Sequence, residues 1–181
     1  MNGVDLRLVA ARVKDGDQAA FRQIVDHTRA PLYRLAARML GNLSDAEDVL
    51  QDAYVSAFRS LREGRYDGRS KFETWLYRVV TNACIDAMRK RKVRQAELPE
   101  PPQYDGLISQ EARVALGELD EMLKTLSEQD RAAVVLCLGE GLTVKEAAET
   151  LGVTEGAVEQ RLVRSRAALR ARRAAGEASG G

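Results

Sequence analysis

One histidine and two cysteines are all the imidazole and thiol metal ligands in this chain. His27 stands alone, and Cys84 and Cys137 lie in apolar helical contexts with no CxxC or Cys/His spacing. That excludes a zinc module and a disulfide framework, and it reads both thiols as small buried side chains. Aromatic residues make up only 5% of the chain, and no alternating run of β-branched residues reads as a strand. No apolar run reaches the length needed to span a membrane. The opening MNGVDLRLVAARVKDG carries charge throughout and lacks the apolar core of a signal peptide, so a cytoplasmic location is expected. There is no Gly-rich phosphate loop, metal-ligand cluster or nucleophile–base set. The reading is therefore non-enzymatic, with no cofactor and no metal.

What is present favours helix. Of 181 residues, 45% are apolar, and alanine, leucine, valine, arginine and glutamate dominate. Three of the four prolines fall in or beside LPEPPQYDG, within a stretch from Val93 to about Gly106 that has no helical period. The expected fold is all-α: two small helical domains joined by an extended Pro-containing linker, the second ending in a helix-turn-helix. The boundaries read as 1–92, a flexible acidic linker at 93–111, a second domain at 112–173, and a small polar tail at 174–181 that frays.

The net charge of +1 conceals strong segregation. Asn42 to Ala53 holds four acids and no base, whereas Arg62 to Arg94 holds ten bases and four acids. Gln95 to Glu121 holds seven acids and one base, and Glu159 to Arg173 six bases and one acid. Two basic blocks separated by acidic ones suggest two nucleic-acid contacts on one chain.

In chain order, Asp5 to Lys14 reads as a short helix and Asp17 as the cap of the next. That helix, Gln18 to Leu40, contains Pro31, which predicts a kink or break near Thr28 to Ala30. Ser44-Asp45-Ala46-Glu47 reads as a capping box opening a helix to about Leu61, with Ala46, Val49, Leu50, Ala53, Ala57, Phe58 and Leu61 as its apolar stripe. Asp45, Asp48, Gln51 and Asp52 form its acidic edge. Asp52 lies beyond the first turn, where the helix dipole no longer accounts for it, so the edge reads as a docking surface.

The run KFETWLYRVVTNACIDAMRKRK, Lys71 to Lys92, interleaves apolar and basic residues in one helical period. Phe72, Trp75, Leu76, Val79, Val80 and Ala83 share one side; Arg78, Asn82, Asp86, Arg89 and Lys90 fall largely on the other. Such a helix is either amphipathic with a solvated basic face or a surface for nucleic acid. The loop Gly64 to Ser70 leads into it and carries Tyr66, suited to an unstacked base. Trp75, at core spacing, is expected to anchor the helix.

Further on, Ser127 opens a strongly apolar helix, and Thr143-Val144-Lys145-Glu146 is a second capping box. Gly152 makes a tight turn and Thr154 caps a last helix from Glu155. Small residues at Ala147 and Ala148, the turn glycine, then Val158 and Leu162 form a helix-turn-helix pattern. The last helix is expected to expose Glu159, Gln160, Arg161, Arg164 and Arg166. Arginine pairs bidentately with guanine, glutamine with adenine, and glutamate accepts from cytosine.

With these motifs in order, the chain resembles bacterial RNA polymerase sigma factors of the extracytoplasmic-function group. The resemblance rests on AFRQIVDHT, SDAEDVLQDAYVSAFRSL, FETWLYRVVTNACIDAMRKRK and LSEQDRAAVVLCLGEGLTVKEAAETLGVTEGAVEQRLVRSRAALR. It implies that the first domain binds and melts the −10 promoter element, with Tyr66 and Asn82 at a flipped base. Asp67, Lys71 and Asp86 would lie on the same surface, and Arg78, Arg89, Lys90 and Arg91 would meet phosphates. It implies that the second domain reads the −35 element through Thr154, Glu155, Glu159, Gln160, Arg161, Arg164 and Arg166. Asp45, Asp48, Leu50, Gln51 and Asp52 would dock on the β′ clamp helices of core RNA polymerase, and the second domain on the β flap. The linker would pass near the active-site cleft. The implied partners are core polymerase, promoter DNA and an anti-sigma factor that holds the protein inactive until a signal releases it. Glu159 and Gln160 depart from the basic residue and serine of many members, and Val163 from a frequent histidine or aromatic. From the residues alone, a stand-alone two-domain helix-turn-helix regulator remains the alternative.

Overall fold

The structure, a computed structural model, describes residues 4–97 and 110–179. The centre of the expected linker, 98–109, lies outside the described residues, as do the first three residues and the last two. Among the described residues every regular element is helical: α1 (Leu6–Lys14), α2 (Gln18–Leu40), α3 (Leu43–Arg62), α4 (Phe72–Glu97), α5 (Gln110–Leu123), α6 (Glu128–Val134), a π-helical turn (Val135–Gly139), α7 (Val144–Leu151) and α8 (Glu155–Ser179). The fold is all-α, with two helical domains.

Helices α1 to α4 pack as the first domain because each has one apolar stripe to bury. Val13, Ile24, Leu35, Met39, Phe72 and Val80 are each 0% exposed. Phe21 packs edge-on against Tyr54 and Phe58, at ring separations of 6.1 and 5.2 Å. One polar pair is buried with them. The Thr28 hydroxyl donates to the Ile24 carbonyl at 2.7 Å, so the Tyr54 hydroxyl supplies the proton in its 2.8 Å contact with Thr28.

Local expectations met four corrections. Pro31 does not break α2, which is one helix of 23 residues. Burial of Ile24 and Leu32 on either side outweighs the roughly 3 kcal/mol that an interior proline costs. Asn42, not Ser44, caps α3: its side chain accepts from the Asp45 amide at 3.1 Å. Starting the helix there places Leu43 in the core, and Glu47, freed from a capping box, pairs with Arg29 at 2.8 Å. Helix α4 continues past Lys92 to Glu97, since nothing before Pro99 interrupts it, and α8 runs to Ser179 rather than ending at Arg173.

The caps at Asp5, Asp17, Ser127 and Thr143 each accept a backbone amide, and the Thr143–Glu146 box makes both of its bonds. Gly152 ends α7 at φ +66°, the left-handed conformation that a tight turn requires and glycine tolerates. Val158, 0% exposed, holds α8 against this turn and α6.

The two domains touch. Arg131 of α6 and Asp120 of α5, both almost fully buried, form a 2.7 Å ion pair, and the same guanidinium nitrogen donates to the Arg38 carbonyl at 3.0 Å. The pair thus closes the C-terminal end of α2. Gly41 is required there: a Cβ would stand 2.1 Å from the Asp120 carboxyl, and φ is +66°. Arg38 in turn donates to the Gly139 carbonyl at 2.7 Å and pairs with Glu140.

Candidate nucleic-acid and polymerase interface

Three surfaces carry the residues singled out by sequence. The first is the groove between α3 and α4, of about 660 Å³. Asp45, Asp48 and Asp52 line one wall; Asn82, Asp86, Lys90 and Arg91 line the other, with Val49 and Val79 contributing apolar surface. Asp48, Gln51 and Asp52 are exposed. Leu50 is not: it is 2% exposed and packs in the core. As a member of the α3 stripe it faces opposite to the acidic edge, so it cannot be a contact residue while the helix is folded. Asp45 is partly engaged by Arg91, 3.8 Å away. Arg91, expected on phosphate, instead donates to the Leu40 carbonyl at 3.2 Å, so its guanidinium closes the end of α2 from the α4 side.

The second surface is a cleft of about 490 Å³ between α1 and the loop before α4. Tyr66 and Asp67 line it with Arg7, Leu8 and Lys14 of α1. The Tyr66 hydroxyl donates to the Ser70 carbonyl at 2.9 Å, and its ring sits 5.4 Å from Phe72 and 5.2 Å from Trp75. Burial raises the Tyr66 phenol above its ordinary value, with Arg7 opposing the shift. Tyr66 and Asn82 therefore line different cavities; Trp75, on which the Tyr66 ring packs, stands about two turns before Asn82 on α4. The α1 residues of the Tyr66 cleft were missed in the sequence because α1 is distant along the chain and its basic residues look like a solvated face.

The third surface is α8. Thr154 caps the helix, its hydroxyl accepting from the Ala157 amide at 3.2 Å. Glu155, Glu159, Gln160, Arg164 and Arg166 are exposed. Arg161 is half-buried, with Nη1 buried and unpartnered. Arg164 is held by Asp130 of α6 at 2.8 Å. Val163, 65% exposed, stands beside Glu159 and Gln160.

Residues 24–94 match the family described as Sigma-70 region 2, and residues 116–169 that described as Sigma-70, region 4. The chain is 35% identical over 173 residues to the ECF RNA polymerase sigma factor SigW of Bacillus subtilis, covering 88% of this chain and 91% of that protein. It is 37% identical over 167 residues to the ECF RNA polymerase sigma factor SigM of Mycobacterium tuberculosis, covering 91% and 82%. The chain belongs to the extracytoplasmic-function sigma factors. Among solved structures, the sigma factor CnrH in complex with the cytosolic domain of CnrY superposes with a TM-score of 0.71 at 30% identity, covering 93% of this chain and 97% of CnrH.

This sigma factor is a promoter-specificity subunit of RNA polymerase and so a transcription initiation factor. Its −10 candidates are not equally disposed. Asn82, Arg89 and Lys90 are exposed, and Arg89 lies 3.7 Å from Asp86 one turn earlier. Lys71 is 78% exposed at its side chain, with Glu146 of α7 at 4.0 Å. Arg78 is not on an open face. It is half-buried, its Nη2 donates to the Glu149 carbonyl of α7, and its Nε is buried without a partner. The helical period marked this face as polar and exposed; α7 of the second domain covers part of it.

Among the described residues no group of histidine, cysteine, aspartate and glutamate is placed to hold a metal ion, and no helix is long and apolar enough to cross a membrane. Cys84 is 0% exposed, and burial pushes its thiol up to about 12, with Arg131 opposing the shift. It is a packing residue that stays protonated.

Proposed function

We propose that this sigma factor docks on core RNA polymerase through the acidic wall of the α3–α4 groove. Asp48, Gln51 and Asp52 meet the β′ clamp helices, and the second domain sits on the β flap. The observation that carries this is the charge arrangement in the groove: exposed carboxylates on α3 face Asn82, Lys90 and the basic end of α4. A partner bound on the acidic wall thus places promoter DNA against the basic one. The −10 element then meets Asn82, Arg89 and Lys90, with Tyr66 and Asp67 at the α1 cleft, and α8 lies in the major groove of the −35 element. Phosphate contacts hold the duplex, and a few base contacts specify it.

The same reading places the protein in the cytoplasm, gives it no catalytic activity of its own, and makes an anti-sigma factor its regulator. Support for the last comes from the matched structure, in which CnrH is bound to CnrY. The test is charge reversal. Asp48→Lys with Asp52→Lys should abolish binding to core polymerase while leaving the fold unchanged, since both side chains are exposed. Transcription from a promoter library by the wild-type holoenzyme reads out both elements. Intact core binding by the double variant would move the polymerase contact to another surface and overturn the assignment of the acidic wall.

A further inference from the structure

Helix α8 carries several arginines, and the two nearest its reading end each have one guanidinium nitrogen turned toward the protein. Arg161 is turned toward the domain, its Nη1 buried. Arg164 has its Nη2 on the Asp130 carboxylate at 2.8 Å. A guanidinium reads guanine with two parallel donors, so each would first have to leave its present contact, a weak one for Arg164, whose side chain is 61% exposed. What stands together on the exposed face is Glu159, Gln160 and Val163. Residues three and four apart are neighbours on a helix, so these three make one patch.

Val163 is the anomaly in that patch. It is 65% exposed and belongs neither to the core nor to the side chains packed on its margin. A single exposed valine on an arbitrary surface needs no explanation. This one lies between hydrogen-bonding side chains on the face that enters the major groove. That groove has one apolar feature, the C5-methyl of thymine.

We propose that Val163 reads a thymine C5-methyl in the −35 element, next to the bases addressed by Glu159 and Gln160, while Arg161 and Arg164 position the helix. This rests on the assignment of α8 to the −35 element and deepens it. The patch then has a base composition written in its chemistry. Glu159 accepts from cytosine N4, Gln160 pairs with adenine N6 and N7, and Val163 covers the thymine methyl. Four residues of helix rise about 6 Å, and successive base pairs lie about 3.4 Å apart. The thymine therefore falls within about two base pairs of the cytosine that Glu159 contacts.

The test uses holoenzyme reconstituted from the full chain and core polymerase, on a promoter selected from a library. Each thymine of the −35 element is replaced singly by deoxyuridine, which pairs identically and lacks only the methyl. At one position the wild type should bind about fourfold more weakly, the effect of exposing one methyl. Val163→Ser should bind the thymine promoter at that reduced level and no longer distinguish the two bases, whereas Val163→Ile should keep the preference. Unchanged thermal melting of Val163→Ser shows that the fold is intact. Wild-type indifference to deoxyuridine at every position, or a preserved preference in Val163→Ser, overturns the proposal while leaving α8 on the −35 element. Indifference to scrambling the whole −35 element overturns the assignment of α8 itself, and the proposal with it.

Discussion

Replacing Asp120 by alanine should destabilise this sigma factor by about 3–5 kcal/mol, the cost of removing one partner of a buried ion pair. The structure explains why the effect belongs at this end of the scale. The Asp120 and Arg131 side chains are 5% and 6% exposed, and their oxygen and nitrogen are 2.7 Å apart. At an effective dielectric of about 20, opposite charges 4 Å apart attract by about 4 kcal/mol. Without the carboxylate, Arg131 keeps the Arg38 carbonyl as its acceptor, and its Nε is already buried without one. Lys124, 3.6 Å from the same carboxylate but 46% exposed, adds little. For a chain of this size each kcal/mol shifts the melting midpoint by about 2–4 °C, so the expected fall is about 6–20 °C. Urea titration and calorimetry of Asp120→Ala, Arg131→Met and the double variant form the assay. The double variant should be more stable than the more damaged single one, because it leaves no unpaired charge. A loss below about 1 kcal/mol in Asp120→Ala would refute the argument, because it would mean that water reaches the guanidinium.

Other perturbations test other elements. Leu50→Ala should lower stability by about 2–5 kcal/mol through a core cavity; polymerase binding lost in a variant with unchanged stability would restore Leu50 as a contact residue. Tyr54→Phe should cost about 0.5–1.5 kcal/mol in urea titration, because Thr28 still donates to Ile24 when the phenol is gone. Thr143→Ala should cost about 1 kcal/mol by removing the cap of α7. The Glu146 carboxyl is held below its ordinary value of 4.5 first by its bond from the Thr143 backbone amide. A depressed carboxyl stabilises above its unfolded pKa and loses that contribution as pH falls through its folded value. Acid titration should therefore separate the wild type from Glu146→Gln by a pH-independent amount above about 4.5 and by a shrinking one below it.

Much of the architecture was legible because helices advertise themselves locally. The apolar stripes of α2 and α3, the caps at Asp17, Ser127 and Thr143, and the glycine turn before α8 depend on residues within four or five positions of one another. The corrections arise where distance along the chain intervenes. Leu50 belonged to the α3 stripe by period and could not also face a partner. Arg91 looked like one more base in a basic run, yet the open end of α2, 51 residues earlier, claims it. Arg38 and Glu140 are 102 residues apart, and no periodicity announces that pairing. Asn42 displaced Ser44 because two good caps stood two residues apart, and the core position of Leu43 decided between them.

The same long-range contacts bear on how the two domains work together. Arg78 has the helical position of a phosphate contact, yet it donates to the Glu149 carbonyl, on the helix that supports α8. One guanidinium cannot lie against α7 and on a DNA backbone in the same geometry. Any use of Arg78 on the −10 element thus requires α7 to move from α4. The outer links would resist that motion weakly: Lys71 to Glu146 and Lys92 to Glu128 are 4.0 and 3.8 Å pairs with lysine side chains 78% and 83% exposed. The Arg131–Asp120 pair at the end of α2 would resist it most, being buried and bonded across the domain boundary. Cross-linking cysteines introduced at Lys71 and Glu146 with a bis-maleimide that carries a disulfide in its spacer, with Cys137→Ser to limit side reactions, separates the two uses of Arg78. If Arg78 serves DNA, the cross-linked chain should lose −10 binding and recover it on reduction. Undiminished binding in the cross-linked chain would leave Arg78 as a residue of the domain interface, with Asn82, Arg89 and Lys90 carrying the contact.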